Sequence, residues 1–129
     1  MLHDPIADLL TRIRNAQRQK HRYVDIPLSK QKLHIAKVLE NTGFVKQVIV
    51  NDEKKVLRVV LKYGTGLKPV INGLKRISKP GLRRYVGHQE IPRILGGLGI
   101  AILSTNRGVI DGETAREQKA GGELLCYIW

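Results

Sequence analysis

Glycine is distributed unevenly along this 129-residue chain, and its distribution divides the chain into a glycine-poor half and a glycine-rich half. One glycine, Gly43, precedes residue 64, whereas the other twelve of the thirteen lie from residue 64 onwards. Frequent glycines disfavour long helices, because glycine loses more backbone freedom on folding than other residues, and they are typical of turns. The first half can therefore hold helices, whereas the second half is predicted to consist mainly of short strands joined by turns.

Apolar residues of the first half recur with the period of amphipathic helices. A helix is predicted from Pro5, with Asp4 as its N-cap. One face of this helix is apolar: Ile6, Leu9, Leu10 and Ile13. Ser29 can cap a second helix that runs to about Asn41, with Gly43 as its stop signal. The apolar side of that helix is predicted from Leu33, Ala36, Val38 and Leu39.

Strand-like segments occupy most of the remaining chain. In the first half they are residues 24–28 and a hairpin of 44–50 with 56–61 around the polar turn NDEK. In the second half they are 69–77, 83–86, 100–104 and 124–129, with one helical turn at 113–119. The predicted class is α+β with two small lobes, a helix-rich lobe at 1–64 and a strand-rich lobe at 67–129. The flexible segment Gly64-Thr65-Gly66 is the predicted boundary.

The charge balance points to a polyanionic partner. Lys and Arg number 23 against 11 acidic residues, a formal net charge of +12 at pH 7. Basic side chains that neutralise phosphates release counterions, so such a chain binds nucleic acid favourably. A soluble basic protein without such a partner is the alternative, because net charge alone does not determine function.

Cysteine content and the N-terminal residues favour the cytoplasm. Cys126 is the single cysteine, so no intramolecular disulfide can form, as in proteins of reducing compartments. No apolar run reaches the roughly 18 residues of a membrane span. Asp4 and Asp8 lie where a secretory signal would need an apolar core, so we predict that the protein is not secreted.

A dense basic stretch, KRISKPGLRR, is a candidate RNA-binding segment. It contains five basic residues and no acid: Lys75, Arg76, Lys79, Arg83 and Arg84. Tyr85 follows directly and could stack on a base or pack on a sugar. Pro80 and Gly81 are predicted to turn the chain between two strands. We favour RNA binding over the alternative, which is a solvated loop with ordinary cross-strand charges.

A second candidate is a polar turn after an apolar strand. It comprises Ser104, Thr105, Asn106, Arg107 and Gly108. Hydroxyl, amide and guanidinium groups at one strand end can contact base edges, 2′-hydroxyls and phosphates. Taken alone, these residues are equally consistent with a polar hairpin turn.

No constellation of catalytic or metal-binding residues is visible. The histidines are scattered, and no Cys/His pair has the spacing of a zinc site, so neither a metal nor another cofactor is expected. Cys126 lies in the apolar segment LLCYIW and is predicted to be a buried structural thiol. The glycines at 96–99 lack the residues of a phosphate-binding loop. We therefore predict that the protein is not an enzyme.

Three segments resemble one protein family. DPIADLLTRIRNAQ at 4–17, RISKPGLRRY at 76–85 and GLGIAILSTNRGV at 97–109 are similar to signatures of bacterial-type small ribosomal subunit protein eight, and GGELLCYIW closes the chain similarly. The resemblance covers essentially the whole chain. It implies a two-lobe α+β fold and direct binding to the central domain of small-subunit ribosomal RNA early in assembly, next to other small-subunit proteins. Many bacterial members also bind their own messenger RNA and repress its translation.

The resemblance also implies which residues contact RNA. Recognition of an irregular RNA helix is assigned mainly to the second lobe, at Ser104 to Gly108, with Tyr85 and Glu123 in support. Family members often have Ser where this chain has Asn106, which keeps a hydrogen-bonding group but changes its reach. Basic residues of the first lobe are expected to make nonspecific phosphate contacts: Arg12, Arg14, Arg18 and Lys20.

Glu123 is unexpected beside RNA, because a carboxylate repels phosphate. We predict that it holds a neighbouring Arg or accepts a hydrogen bond from an amine or hydroxyl. The alternative is a strand-start residue that faces solvent. Three functions remain open to the chain: a ribosomal RNA binder, which we favour, a messenger-RNA regulator that uses the same surface, and an enzyme.

Overall fold

A computed structural model describes residues 4–129; Met1 to His3, part of the predicted first lobe, lie outside the described residues. The described chain confirms the α+β class, with three α-helices and two antiparallel sheets. The helices are α1 Pro5–Arg18, α2 Lys30–Asn41 and α3 Gly112–Glu117. The strands are β1 Tyr23–Pro27, β2 Gln47–Asn51, β3 Val56–Val60, β4 Leu74–Arg76, β5 Tyr85–Val86, β6 Ile100–Thr105, β7 Gly108–Asp111 and β8 Gly122–Ile128.

The chain forms two compact units, Pro5–Asn72 and Asp4 with Gly73–Trp129. The Gly64-Thr65-Gly66 segment that the sequence marked as a boundary forms a 3-10 turn, Thr65–Leu67, within the first unit. After this turn the chain returns along the first unit, since Tyr63 pairs with Pro69 and the Val70 amide donates to the Lys62 carbonyl. The segment 69–73, predicted as strand, is therefore mostly irregular, and only Leu74–Arg76 pairs as β4.

The first unit is a three-stranded sheet, in the order β1-β3-β2, with α1 and α2 against it. Strand β3 alternates as expected for a sheet with one covered face, since Leu57 and Val59 are buried and Val56 and Arg58 are half-exposed. The predicted apolar face of α1 is buried: Ile6, Leu9, Leu10, Ile13 and also Ala16. On α2 the buried residues are Lys32, Ile35, Ala36, Val38 and Leu39, whereas Leu33 is only half-buried.

A lysine and an aspartate link the two helices of the first unit. The Lys32 ammonium is almost fully buried, 2.8 Å from the Asp8 carboxylate, and it also donates to the Pro27 carbonyl. Burial alone would raise the pKa of Asp8, but hydrogen bonds and charge from Lys32 and Arg12 outweigh burial and lower it. The buried ammonium is thus paired, which avoids the large free-energy cost of an isolated buried charge.

The second unit is built around β8. Its sheet has the order β4-β8-β6-β7, and β5 also pairs with β8. One face carries an apolar cluster that includes α3: Ile91, Ala101, Leu103, Ala115 and Leu124. Because side chains alternate along β6, Ser104 lies on the opposite face from Leu103. The helical turn predicted at 113–119 is α3, whose N-cap is Asp111.

Strand β7 was not predicted. Its four residues, Gly108–Asp111, pair with β6 and are at most half-buried. Only Val109 and Ile110 are apolar, a run too short to mark a strand in the sequence. No helix within residues 4–129 is long and apolar enough to cross a membrane.

Removing the Ser29 hydroxyl tests the predicted cap of α2. The Ser29 side chain accepts a hydrogen bond from the Lys32 amide at 3.2 Å, which satisfies an amide that the helix cannot pair. We expect Ser29→Ala to lower the free energy of unfolding by about 1 kcal/mol in urea titrations. Ser29→Asp, which keeps an acceptor, should lose much less; equal losses would contradict the capping role.

Candidate RNA-binding site

Four strands of the second unit align one residue each in a row across the sheet. Glu123 on β8 is paired with Tyr85 on β5 and with Ser104 on β6, and Ser104 is paired with Val109 on β7. Directly paired residues point to the same face, so Tyr85, Glu123 and Ser104 project together. Tyr85 and Ser104 are two interstrand spacings apart, about 10 Å. Residues from three separate predicted segments thus lie side by side.

The polar turn next to this row is held by Thr105. Its hydroxyl donates to the Gly108 carbonyl at 2.9 Å and accepts from the Arg107 amide at 3.0 Å. Gly108 has a φ of +101°, which side-chain-bearing residues rarely adopt. The two-residue turn between β6 and β7 therefore exposes Asn106 and Arg107 at its tip.

The Ser104 hydroxyl differs from that of Thr105. Among the residues that the structure describes, it has no hydrogen-bond partner, and the residue is only half-buried. Thr105 is thus used to shape the turn, whereas Ser104 keeps its donor and acceptor available to a ligand.

The basic segment forms a loop on the other side of the row. Lys79 and Leu82 exchange two backbone hydrogen bonds around Pro80-Gly81, which confirms the predicted turn. Its basic side chains are exposed at Lys79, Arg83 and Arg84. Tyr85, which ends the loop, is 70% exposed. An aromatic ring this exposed has room to stack.

Glu123 occupies the centre of the row and is paired. Its Oε2 atom accepts from Nη1 of Arg83 at 2.9 Å and from the Ser78 hydroxyl. The Glu123 side chain is only 17% exposed, so the alternative of a solvent-facing residue is wrong. Both donors approach Oε2, and Oε1 has no protein donor within the described chain. The prediction that Glu123 holds a neighbouring Arg is confirmed.

Arg76 is placed differently from the other basic residues of its segment. Its Nε lies 3.1 Å from the Asp4 carboxylate, and its Nη1 donates to the Leu125 carbonyl at 2.8 Å. The Arg76 side chain is only 10% exposed. Its guanidinium is therefore used in an internal ion pair, and the structure does not group it with the exposed cations at 79–84.

Of the first-unit candidates, Arg12, Arg14 and Arg18 lie on α1, and Lys20 lies in the turn that follows it. Arg12 is exposed and its Nε is 3.0 Å from the Asp8 carboxylate, whereas Arg14 is half-buried. Arg12 is thus partly neutralised by a carboxylate of its own helix.

Comparison with known proteins gives the family. A family model described as Ribosomal protein S8 matches residues 4–129. The chain belongs to the ribosomal protein S8 family. Relatives named small ribosomal subunit protein uS8 include those of Protochlamydia amoebophila, 52% identical over 100% of this chain and 99% of the relative, and of Pediococcus pentosaceus, 56% identical over 98% and 97%. That of Caldicellulosiruptor bescii is 54% identical over 98% and 97%.

This assignment confirms the family resemblance of the sequence segments, and the family is one of ribosomal proteins rather than enzymes. Two surface grooves of the described chain contain paired charges in their lining. One, of about 280 Å³, includes Asp25 and Arg58, which form an ion pair, and the other, of about 190 Å³, includes the ion pair of Glu113 with Arg116. Within residues 4–129, no group of three or more His, Cys, Asp and Glu residues could hold a metal ion.

Two residues of the candidate site were not predicted from the sequence. Ser78 contacts Glu123, but nothing in the sequence distinguishes this serine from the solvated residues around it in the basic segment. Gly122 lies where β8 meets β6, and a Cβ atom there would overlap the Ser104 carbonyl oxygen. The consecutive glycines at 121–122, before an apolar strand, are the only sequence signal for this close approach.

Gly122→Ala tests the close approach of β8 and β6. The added methyl group would meet backbone atoms, which cannot move aside without separating the strands. We expect the free energy of unfolding in urea to fall by roughly 1–3 kcal/mol. Gly87→Ala is the matched control, because Gly87 has no atom within 4 Å of the new Cβ and a negative φ, and it should stay within about 0.5 kcal/mol. Similar losses for both variants would contradict this account.

The reactivity of Cys126 tests whether it can act as a nucleophile. Complete burial raises the pKa of its thiol to about 12, against the opposing charge of Arg76. Because the thiolate is the reactive form, labelling by a disulfide reagent at pH 8 should be very slow in the folded protein and fast in urea. Rapid stoichiometric labelling of the folded protein would contradict the assignment of a buried structural thiol.

Proposed function

We propose that this ribosomal protein of the small subunit binds directly to the central domain of small-subunit ribosomal RNA and helps the subunit to assemble. Its relatives are small ribosomal subunit proteins by name. The observation that carries the proposal is the row of Tyr85, Glu123 and Ser104, flanked by the exposed turn and by the basic loop. Within this function, the second unit is the part that recognises RNA.

Each group in the row offers a different contact. The exposed ring of Tyr85 can stack on an unpaired base or pack on a sugar. The Ser104 hydroxyl can donate to or accept from a base edge or a 2′-hydroxyl. Glu123 Oε1 can accept a hydrogen bond from an exocyclic amine or from a 2′-hydroxyl. DNA lacks the 2′-hydroxyl, and a phosphate group offers neither donor. Such contacts fit an irregular RNA region whose bases are accessible.

Positive charge around the row supplies the contacts to phosphate. Arg84, Lys79 and Arg107 are exposed and have no ion pair within the described residues, whereas Arg83 is held by Glu123 and remains 44% exposed. Phosphate contacts position a protein on RNA, and base or sugar contacts determine which RNA is bound. On the first unit, the exposed residues Arg12, Arg18 and Lys20 would add nonspecific phosphate contacts.

The test is binding of the purified protein to fragments of small-subunit ribosomal RNA at several salt concentrations, with excess nonspecific RNA. We expect tight binding to one central-domain fragment that survives the competitor. Equally weak, salt-sensitive binding to every fragment would contradict the proposal. The protein's own messenger RNA would occupy the same surface, so a fragment of it is included as a second competitor. Stronger binding to that fragment would favour a regulatory function.

Two variants separate positioning from recognition. Arg84→Ala should weaken binding to specific and nonspecific RNA alike and flatten the salt slope by about one unit, because one phosphate contact is lost. Ser104→Ala should weaken binding of the central-domain fragment alone, by roughly 3- to 10-fold, the value of one hydrogen bond. Lys54→Ala, in the exposed β2–β3 turn, is the control and should bind as the unchanged protein does. If Arg84→Ala and Ser104→Ala changed specific binding, nonspecific binding and the salt slope in the same way, the proposed separation of phosphate contacts from recognition contacts would be contradicted.

A further inference from the structure

The basic loop is an excursion from the edge of the sheet. Arg76 is paired with Cys126 and Tyr85 with Glu123, so eight residues, 77–84, stand opposite only two residues of β8. A loop of this length is free to adopt many conformations unless other contacts hold it, because each ordered residue loses conformational entropy. The direction of its arginines therefore depends on how the base of the loop is held.

Both ends of the excursion are bonded to one residue of β8. The Ser78 amide donates to the Leu124 carbonyl at 3.1 Å, and the Leu124 amide donates to the Arg84 carbonyl at 2.8 Å. Residues 78 and 84 are therefore both bonded to Leu124, and the chain between them forms a closed loop at this edge of β8.

The Ser78 side chain joins the two ends directly. This residue is completely buried, and its Oγ accepts from the Arg84 amide at 3.1 Å. The single hydroxyl proton of Ser78 is then donated to Oε2 of Glu123, the same oxygen that accepts from Arg83. Hydrogen bonds to a charged acceptor are stronger than neutral ones, so the hydroxyl has one favoured orientation.

Ser78 influences the positions of the RNA-binding groups without facing RNA itself, because its side chain is completely buried. Ser78 and Arg83 approach the same oxygen of Glu123, and together they determine the rotamer of its carboxylate. The carboxylate in turn holds the Arg83 guanidinium, and the bond to the Arg84 amide fixes the chain that leads into Tyr85.

We propose that Ser78 is a positioning residue for RNA recognition. Through Glu123 and the Arg84 amide, it pre-orders the loop so that Arg83, Arg84 and Tyr85 meet the RNA in one arrangement. Pre-ordering raises affinity because less conformational entropy is lost on binding. This inference rests on the proposed function, and it adds a buried serine to the residues on which specific binding depends.

Ser78→Ala separates this role from a contribution to folding alone. The substitution leaves every charge in place, so affinity for nonspecific RNA should stay within about twofold, since that affinity follows the number of phosphates neutralised. Affinity for the central-domain fragment should fall about tenfold. Both affinities are measured at a temperature where circular dichroism shows the variant to be fully folded. Ser78→Thr, which keeps the hydroxyl, should recover most of the lost affinity.

A double-mutant cycle with Arg83→Ala gives a readout that a purely structural serine would not change. If Ser78 acts partly by holding Arg83 through Glu123, its removal should weaken specific binding about threefold or less in the Arg83→Ala background, against about tenfold alone. Ser29→Ala is the matched control, because it removes a serine hydroxyl from the first unit. In the folded state it should leave RNA affinity unchanged.

The outcomes are distinct. Equal loss in both backgrounds, or no loss of specific affinity in Ser78→Ala, would overturn the positioning role while the unchanged protein still selects the central-domain fragment. Failure of the unchanged protein to select that fragment would overturn the proposed function instead.

If Ser78→Ala does not fold, Glu123→Gln takes its place. That variant keeps the shape but removes the charge that holds Arg83, and its ratio of specific to nonspecific affinity should fall at least fivefold. An unchanged ratio would overturn the inference.

Discussion

Strand β8 is paired along both of its edges, and this pairing assembles the candidate site. On one edge β8 binds β4 and β5, and on the other it binds β6. Gly122 permits the close approach to β6, and the next residue, Glu123, is then placed between Tyr85 and Ser104. A one-residue shift in either register would move these side chains to the opposite face of the sheet. The site therefore depends on backbone pairing before it depends on any single side chain.

The charge of Glu123 is best understood together with its cationic neighbours. A carboxylate near bound RNA would repel phosphate, but Arg83 at 2.9 Å neutralises it, and the Ser78 hydroxyl stabilises it further. The carboxylate also orders Arg83, which belongs to a loop whose charged side chains are all basic. The result is a mixed surface, with acceptor and donor groups in the row and unpaired cations around it. Such a surface can distinguish RNA structures, which a uniformly basic patch does poorly.

The sequence predicted those features that depend on local periodicity and turn chemistry. The apolar face of α1, the Ser29 cap, the β2–β3 hairpin and the Pro80-Gly81 turn are all local, and each is confirmed. Strand β7 was not predicted, because only two of its four residues, Val109 and Ile110, are apolar, and its pairing with β6 depends on the turn before Gly108.

What the sequence could not predict is which residues of one segment share a function. Arg76 and Arg83 lie in the same basic stretch, yet Arg76 pairs with Asp4, 72 positions away, and its side chain is only 10% exposed. Ser78 and Glu123 are 45 positions apart, and only the pairing of β8 brings them together. Composition thus indicates a polyanionic partner, but the division of the basic residues into structural and exposed groups depends on long-range contacts.

Mapping of the bound surface by nuclear magnetic resonance tests the central claim most directly. Amide resonances of the isotope-labelled protein would be followed during titration with a central-domain fragment of small-subunit ribosomal RNA. We predict that the largest changes occur at 104–108, at Tyr85 and at 122–123, with smaller changes on α1. Changes confined to the first unit, or spread evenly over all exposed basic residues, would contradict the assignment of RNA recognition to the β5–β8–β6 row.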